Sequence, residues 1–268
     1  MGLFDKKECD ICGGKIGLLG NRKLEDGNCC KDCAKKLSPW FSDRRRSTVA
    51  DIKAQLAYRE ANRSAVAAFH VTRTLGVWSK VLLDEDAGRF MVVTTKKIEE
   101  ENPDVLEFSQ VTGCHLKVDE TRREMTQRDR DGRQVSYRPQ RFQYLYNFNM
   151  LIYVNSPWFD EIKFRLNNNT VTVEQSLGVG GGLIGLAATA IGSAAGFDRR
   201  DANHEYRQYE ALAEEIRVAL TEARQGARDN IAAANAPRAA LTCPYCGGTT
   251  TPNANGCCEF CGGAIVRP

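Results

Sequence analysis

The sequence predicts an α+β multidomain protein in which a strand-rich middle is flanked by two small four-cysteine domains. Eight of the eleven cysteines occur as CxxC pairs, two pairs near each end of the chain. Apolar residues alternate with the period of β-strands across 77–174, and across 206–223 they repeat at spacings of three and four, as on one face of a helix. The hydrophobic fraction of 42% and the charged fraction of 26% are typical of a folded protein.

The CxxC pairs have the spacing of metal ligands. A CxxC turn directs two sulfurs toward one point about 2.3 Å from a metal, and two such turns complete a tetrahedron. Gly-Gly follows the second cysteine in three of the four pairs, and glycine lets the backbone turn tightly behind the ligand. Protein fills all four positions, so neither site has a position open for a catalytic water. We therefore predict two structural zinc ions, held by Cys9, Cys12, Cys30 and Cys33 and by Cys243, Cys246, Cys258 and Cys261.

Three other cysteines need an interpretation. Cys29 and Cys257 lie directly beside Cys30 and Cys258 and could replace them as ligands. We favour Cys30 and Cys258 because they restore the two-residue spacing of the CxxC pair. Cys114 stands alone in a predicted strand, where a free cysteine usually acts as a small buried hydrophobic residue.

The formal net charge of +3 counts every cysteine as neutral. Zinc-bound cysteines are thiolates, so each four-thiolate site with its Zn²⁺ adds −2, and the metal-bound chain would carry −1. This balance gives no argument for nucleic acid or an anionic membrane as partner. The opening residues contain no apolar signal core. Because cysteine-rich chains without one usually bind metal in a reducing compartment, we expect a cytoplasmic protein.

Changes of pattern along the chain predict five segments. Residues 1–41 form the N-terminal four-cysteine zinc domain, 48–69 a connecting helix, 70–225 the strand-rich domain, 226–241 an Ala-rich linker and 242–268 the C-terminal zinc ribbon.

Local signals predict how the connecting helix begins and which face it buries. Thr48 followed three residues later by Asp51 is the pattern of a helix cap. Val49, Ile52 and Leu56 then follow at helical spacing, and we expect them to form the buried face of this helix.

Turn residues divide the strand-rich domain into antiparallel pairs. Segments 77–83 and 90–95 flank a polar turn that ends in Gly88-Arg89, which predicts a hairpin, and an Asp-Gly turn at 129–133 predicts a second. Segments 161–166 and 170–174 flank three asparagines, and we predict a third hairpin there. About seven strands result.

A helix follows the strands. Either Asp201 or Asn203 can cap its start, and its apolar stripe consists of Tyr206, Tyr209, Ala213, Ile216, Leu220 and Ala223. Seven strands followed by one amphipathic helix resemble a pleckstrin-homology-like antiparallel β-barrel, in which the C-terminal helix closes one open end. This resemblance is one of element order.

A glycine-rich insertion separates the last strand from the helix. Residues 176–197, from Ser176 to Phe197, carry no charge over 22 positions, which is long enough to span a bilayer. Their glycine and alanine content makes insertion marginal, and small residues four apart suit close helix packing. We favour a flexible or helix-packing insertion, with membrane contact or self-association through 176–197 as the alternative.

The start of the chain closely resembles a known family domain. Residues 9–41, CDICGGKIGLLGNRKLEDGNCCKDCAKKLSPWF, are similar to the N-terminal four-cysteine domain of unknown function found in many bacterial, largely Firmicute, proteins. Segments 103–116 and 154–164 (VNSPWFDEIKF) resemble the body of those proteins. The resemblance implies a metal-binding domain, with Cys9, Cys12, Cys30 and Cys33 at the family's cysteine positions, and implies no established activity. The tail 243–263 is similar to the widespread zinc ribbons.

The sequence favours a binding role over catalysis. The three histidines, His70, His115 and His204, lack metal-type spacing, and no nucleophile elbow, phosphate loop or HExxH motif occurs. We predict a non-enzymatic adaptor or scaffold that binds protein partners, with peripheral contact to the inner membrane as an open expectation. The alternative is a nucleic-acid-binding zinc protein, which would use the arginines between 122 and 141. These alternate with acidic residues, as in a solvated edge ribbon.

Overall fold

The computed structural model describes residues 7–94, 96–174, 200, 203–235, 240–253 and 255–265. Contacts divide the chain into two compact units, Met1–Gln225 and Gly226–Pro268. The insertion at 176–197 lies outside the described residues. Among the described helices, none is both long and apolar enough to cross a membrane.

The first unit begins with a small domain of short strands. Strands β1 (Lys7–Glu8) and β2 (Lys15–Ile16) form one antiparallel pair, and β3 (Arg22–Lys23) and β4 (Asn28–Cys29) form another; helix α1 (Lys31–Lys35) follows. Its core is buried and compact, consisting of Cys9, Ile16, Leu24, Cys29, Cys33, Leu37 and Ile52. Ile52 lies in the next helix, so that helix completes the core of the domain.

Helix α2 (Val49–Ala67) begins as predicted, and its buried face is apolar only in part. Thr48 and Asp51 form the reciprocal capping box, which confirms the predicted start. The three predicted apolar positions all pack on the core of the small domain, with Ile52 fully buried and Val49 and Leu56 partly buried. The other buried positions are polar, Gln55, Arg59 and Asn62. The buried face therefore also carries a polar network, which was not predicted.

That network joins α2 to the small domain and to the strand-rich part of the unit. Arg59 donates to Asp104 Oδ1 at 3.0 Å and to the carbonyl of Lys36 at 3.3 Å. Ser38 donates to the other oxygen of Asp104 at 2.7 Å. Asn62 donates to Asn102 Oδ1 at 2.8 Å and accepts from the N–H of Val105 at 2.9 Å.

The first large sheet is a four-stranded antiparallel meander. Its strands are β5 (Arg73–Leu75), β6 (Lys80–Asp84), β7 (Arg89–Val93) and β8 (Val105–Glu107), paired in chain order; the one-turn helix α3 (Ile98–Glu101) precedes β8. Strands β6 and β7 pair from Lys80↔Val93 to Asp84↔Arg89, which confirms the predicted hairpin. Asp84 closes its turn by accepting from the N–H of Ala87 at 3.0 Å.

The second large sheet is built around one long strand. Strand β10 (Gln134–Val154) pairs with β9 (Val111–Arg128) on one side, and with β11 (Glu161–Arg165) and β12 (Val171–Glu174) on the other. The turn between β9 and β10 confirms the predicted Asp-Gly hairpin, since Asp129 accepts from the N–H of Asp131 and of Arg133.

The predicted hairpin between 161–166 and 170–174 is wrong. Both β11 and β12 run antiparallel to β10 on the same side, so they are two pieces of one interrupted strand. The buried side chain of Asn167 spans the interruption. It accepts from the N–H of Phe148 at 2.8 Å and donates to the carbonyl of Tyr146 at 3.2 Å. The amide side chain thus takes the hydrogen bonds that a continuous strand would make.

Helix α4 (His204–Asn235) covers part of this second sheet. The N–H of Tyr206 donates to Asn203 Oδ1 at 2.8 Å, which confirms Asn203 as a cap. The ring of Tyr206 lies 4.9 Å from the rings of both Tyr146 and Phe148. Four residues of the predicted apolar stripe are buried: Tyr206, Ala213, Ile216 and Leu220. Ala219, which was not predicted, is buried as well.

The strand-rich part of the chain is mixed α and β with open antiparallel sheets. None of the sheets formed by the described residues closes on itself, so the predicted barrel is not confirmed. In the second unit, β13 (Leu241–Thr242) and β14 (Thr249–Thr250) form a short antiparallel pair. Helix α4 extends to Asn235 and so includes the first part of the segment predicted as an Ala-rich linker.

Candidate metal centres

The first candidate centre lies between two turns of the small N-terminal domain. In the first turn, the N–H of Cys9 donates to the carbonyl of Gly14 at 2.9 Å, and the N–H of Gly13 donates to that of Cys9 at 2.7 Å. Gly13 has φ +71°, a conformation that favours glycine. The turn brings Cys9 and Cys12 to the same side of the backbone.

The second pair is positioned by helix α1. Cys30 is its N-cap residue, and its sulfur accepts from the N–H of Cys33 at 3.3 Å. The N–H of Cys30 in turn donates to the sulfur of Cys9 at 3.2 Å, which ties the two pairs together. The four sulfurs of Cys9, Cys12, Cys30 and Cys33 all lie within 4.8 Å of one another.

The sulfur separations fit a tetrahedral metal. The sulfurs of Cys12 and Cys30 are 3.8 Å apart. Four sulfurs about 2.3 Å from a common zinc ion would be about 3.8 Å from each other. The donor set, four sulfurs without a carboxylate or water position, is that of structural zinc sites.

Cys29 lies outside this group. It belongs to β4, is fully buried in the domain core, and its thiol donates to the carbonyl of Cys30 at 3.4 Å. Adjacent residues of an extended strand point to opposite sides, so Cys29 points into the core while Cys30 joins the sulfurs. Burial, together with the nearby sulfurs of Cys9 and Cys30, raises the pKa of Cys29 to about 11.

Hydrogen bonds in this site favour the thiolate form of Cys9. Burial alone would raise the pKa of Cys9, but N–H groups of Cys30, Cys12 and Ile11 outweigh it and lower the pKa to about 6. Burial and hydrogen bonding to neighbouring sulfurs raise the pKa of Cys33 instead. Because the ligands of zinc are thiolates, metal binding at neutral pH would release the protons of the remaining thiols.

The second candidate centre repeats the first turn twice. The N–H of Cys243 donates to Gly248 at 2.9 Å, and the N–H of Cys258 donates to Gly263 at 2.8 Å. Gly247 and Gly262 both have φ +73°. The three predicted Gly-Gly turns thus share one backbone conformation at Gly13, Gly247 and Gly262.

The sulfurs of the second group also have tetrahedral spacing. Those of Cys243 and Cys261 are 3.6 Å apart, and those of Cys246 and Cys258 are 3.7 Å apart. Burial raises the pKa of Cys243, but N–H groups of Cys246 and Tyr245 outweigh it and lower the pKa to about 7. Cys257 lies outside the group, its sulfur 3.6 Å from the carbonyl of Asn255.

Every cysteine predicted as a ligand lies in one of the two groups. The chain therefore carries two four-cysteine groups within metal-binding distance, an arrangement consistent with two structural zinc sites. Cys114 is buried in β9, and burial raises its pKa to about 12. Among the described histidines, His70 faces Asp86 at 3.6 Å and His115 packs against Tyr153. Neither lies in a metal-binding group.

The polar network around Arg59 was not predicted from the sequence. Its contacts between Arg59 and Asp104 and between Asn62 and Asn102 span 45 and 40 positions, and each residue taken alone resembles an ordinary surface residue. The one available signal is the spacing of Ile52, Gln55, Arg59 and Asn62, which places three polar residues on the same helix face as a buried isoleucine.

The two groups have the donor set found in small domains organised around cysteine-bound metals. The first group lies within residues 7–55, which match the family described as "Domain of unknown function (DUF4428)". The match spans less than a fifth of the chain, and it ends in α2 just beyond Ile52, the helix residue that completes the core of the small domain. No curated protein matches the chain, and no solved structure matches it.

Proposed function

We propose that this chain is a non-enzymatic, zinc-binding adaptor that presents surfaces to protein partners. The observation that carries the proposal is the donor set of the two groups. Each group consists of four cysteine sulfurs. The three sulfur pairs in contact are 3.6 to 3.8 Å apart. A metal with four protein ligands has no position for substrate or water, so its contribution is to folding.

The second unit offers a surface suited to a protein partner. Tyr245 and Phe260 occupy equivalent positions in their CxxC turns, and they are 71% and 73% exposed. Each ring packs on the glycine of the opposite turn: a Cβ at Gly263 would lie 2.6 Å from Tyr245, and one at Gly248 would lie 3.2 Å from Phe260. Exposed aromatic side chains held in fixed positions are typical anchors of protein interfaces.

Affinity purification tests the adaptor role. The zinc-loaded chain and a Tyr245→Ala/Phe260→Ala variant would be used as baits, and the proteins they retain compared quantitatively. We expect a defined set of partners to be lost with the variant and kept with Val77→Ala/Trp78→Ala, a control that removes another exposed apolar pair, 71% and 59% exposed. Equal retention by all three baits would contradict the proposal.

The finer fold assignment is also a proposal. A four-stranded meander, a second antiparallel sheet and then an amphipathic helix that packs on that sheet follow the element order of a pleckstrin-homology-like domain. An experimental structure with the two sheets side by side, rather than packed across a shared core, would contradict this fold assignment.

We also propose that segments 103–116 and 154–164 belong to the body of the bacterial family that they resemble. A cytoplasmic location with peripheral contact to the inner membrane is a further proposal.

One observation favours the alternative, nucleic-acid binding. Within the part of the chain that the structure describes, residues 134–142 of β10, before its last pair with β12 at Gln143, pair only with β9. The resulting two-stranded ribbon (residues 124–142) carries five arginines and three acidic residues. A ribbon of two strands fits the major groove of DNA. Two arginines of the β9–β10 pair stack on aromatic rings: Arg141, within the ribbon, on Tyr137, and Arg122, just before it, on Phe142. Retention on DNA that falls steeply with salt would support this function, and no retention at about 50 mM salt would exclude it.

A further inference from the structure

The turn between β2 and β3 exposes two leucines. The N–H of Gly20 donates to the carbonyl of Gly17 at 2.9 Å, which closes a four-residue turn with Leu18 and Leu19 at its tip. Their exposures are 82% and 88%. Turn tips usually carry polar residues or glycine. A single exposed leucine needs no explanation, but two adjacent ones held at a tip form a small apolar surface.

A basic cavity lies beside this turn. It has a volume of about 650 Å³, and its lining consists of Asn21, Arg22, Lys23, Leu24, Glu25, Arg44 and Arg45. Four of these side chains are cationic and one is acidic. Within the described part of the chain, no carboxylate lies within 4.0 Å of any of the four cations.

Hydrogen bonds hold the apolar tip and the basic cavity next to each other. Arg22 Nη1 donates to the carbonyl of Leu19 at 3.3 Å, so a cation of the cavity contacts the tip directly. Arg44 Nη1 donates to the carbonyl of Lys23 at 2.8 Å, which fixes the second basic segment against β3. Burial is the main cause that lowers the pKa of Arg44; Cys29 opposes it, and the charges of Arg22 and Arg45 lower it further.

The nearby metal centre does not neutralise this surface. Across residues 7–55, eleven lysines and arginines stand against seven aspartates and glutamates. A four-thiolate zinc centre would lower the resulting charge of +4 to +2. The domain thus keeps a positive charge after its own metal site is counted.

We propose that the Leu18–Leu19 turn and the basic cavity beside it form a docking site for the surface of an anionic lipid bilayer. Interfacial binding requires apolar side chains that enter the boundary between headgroups and acyl chains, flanked by cations that contact anionic headgroups. The turn supplies the first and Arg22, Lys23, Arg44 and Arg45 supply the second. A free anion would need only the cavity, and the exposed leucines would then have no partner.

This inference rests on the membrane-proximal part of the proposed function and assigns it to described residues rather than to 176–197. It does not depend on the protein-binding role of Tyr245 and Phe260. Loss of vesicle binding would leave the affinity purification unchanged, and loss of protein partners would leave vesicle binding unchanged.

Vesicle co-sedimentation of the full zinc-loaded chain tests the docking site. We expect binding to vesicles with about one-third phosphatidylglycerol and none to pure phosphatidylcholine. Leu18→Ser/Leu19→Ser should weaken binding at least about tenfold with the charge unchanged. Lys23→Glu/Arg45→Glu should weaken it at least as much; neither of these side chains donates a hydrogen bond to a described residue.

Two controls separate docking from general charge attraction. Lys35→Glu/Lys53→Glu makes the same change of net charge at exposed residues that do not line the cavity. It should change binding by less than about threefold, since neither side chain belongs to the site that contacts the headgroups. Zinc content should stay at the wild-type level in every variant, which shows that the small domain is still folded.

Five results would overturn the proposal. The first is no binding of the wild-type chain to anionic vesicles, and the second is equal weakening by the Lys35/Lys53 control. The third is unchanged binding by the leucine variant. The fourth is full competition by about 10 mM inorganic phosphate, which would indicate a small-anion site. The fifth is loss of binding on deletion of 176–197 with no effect of the tip variants.

Discussion

At the scale of single residues, hydrogen bonds to sulfur and the conformation of one glycine decide how each metal centre is built. The N–H groups around Cys9 lower its pKa to about 6 although it is buried. Gly13 allows the backbone to turn behind the ligands with φ +71°. The glycine turn involves only neighbouring residues, so it could be predicted from the sequence. The hydrogen bond from the N–H of Cys30 to the sulfur of Cys9 joins residues 21 positions apart, so the lowered pKa of Cys9 could not be predicted.

Gly13→Ala should destabilise the small domain by about 1–2 kcal/mol, because an L-residue is strained at this positive φ. No atom lies within 4 Å of the added Cβ, so strain is the only contribution. Gly17→Ala is the matched control, since its Cβ also meets open space and its φ is not positive. Zinc-loaded proteins would be compared by chemical denaturation, and equal losses from both substitutions would contradict this explanation.

Asp104→Asn should cost about 3 kcal/mol, because it leaves the buried guanidinium of Arg59 without its counter-charge. Burial raises the pKa of Asp104, while Arg59 and Ser38 oppose the rise. A double variant, Arg59→Met/Asp104→Leu, should recover much of the loss because no buried charge remains. The free energies of unfolding measure both effects. A loss below about 0.5 kcal/mol in the single variant would show that the pair is not buried in solution.

At the scale of secondary-structure elements, features that depend on neighbouring residues could be predicted from the sequence. Features that depend on contacts between residues far apart in the chain could not. The start of α2, the β6–β7 hairpin and the Asp-Gly turn of β9–β10 depend on neighbouring residues, and all three were predicted. The interruption between β11 and β12 depends on Asn167 contacting residues 19 and 21 positions away. Three consecutive asparagines are typical of a hairpin turn, and the sequence alone does not reveal the contact of Asn167 with β10. The polar face of α2 could not be predicted for the same reason.

Asn167→Ala should destabilise the second sheet by about 1–3 kcal/mol for each backbone group left unsatisfied in the buried interior. The groups are the N–H of Phe148 and the carbonyl of Tyr146. Asn168→Ala removes the same side chain at an exposed position and should have little effect. Hydrogen exchange at the Phe148 amide gives a local readout: exchange equally slow in both variants would contradict the assigned role of Asn167.

The capping box of α2 gives the protein a contribution to stability that depends on pH. The backbone N–H and hydroxyl of Thr48 lower the pKa of Asp51. A carboxyl whose pKa is lower in the folded state stabilises the fold above its unfolded pKa of about 3.9, and this contribution is lost as pH falls through the folded pKa. The difference in unfolding free energy between wild type and Asp51→Asn should therefore be constant near neutral pH and shrink in acid. A difference that does not change with pH would refute this.

At the scale of the whole molecule, we expect different parts of the chain to be stabilised in different ways: the four-cysteine domains by bound metal, and the antiparallel sheets by buried apolar residues. Among the described residues, the small N-terminal domain has a core of seven buried residues, two of which are cysteines of the first group and one of which comes from α2. Domains this small seldom fold on a hydrophobic core alone. The strand-rich part of the first unit, by contrast, has extensive buried apolar residues of its own. Removal of metal should therefore unfold the four-cysteine regions first and leave most of the large sheets intact.

The most direct test of the central claim is the metal content of the full chain purified without chelator. We expect about two zinc ions per chain, and about one in each of Cys30→Ser and Cys258→Ser. Cys29→Ser and Cys257→Ser, which change the neighbouring cysteines outside the groups, should keep both ions. A chain without zinc, or one that loses an ion with Cys29→Ser and not with Cys30→Ser, would contradict the account of these centres.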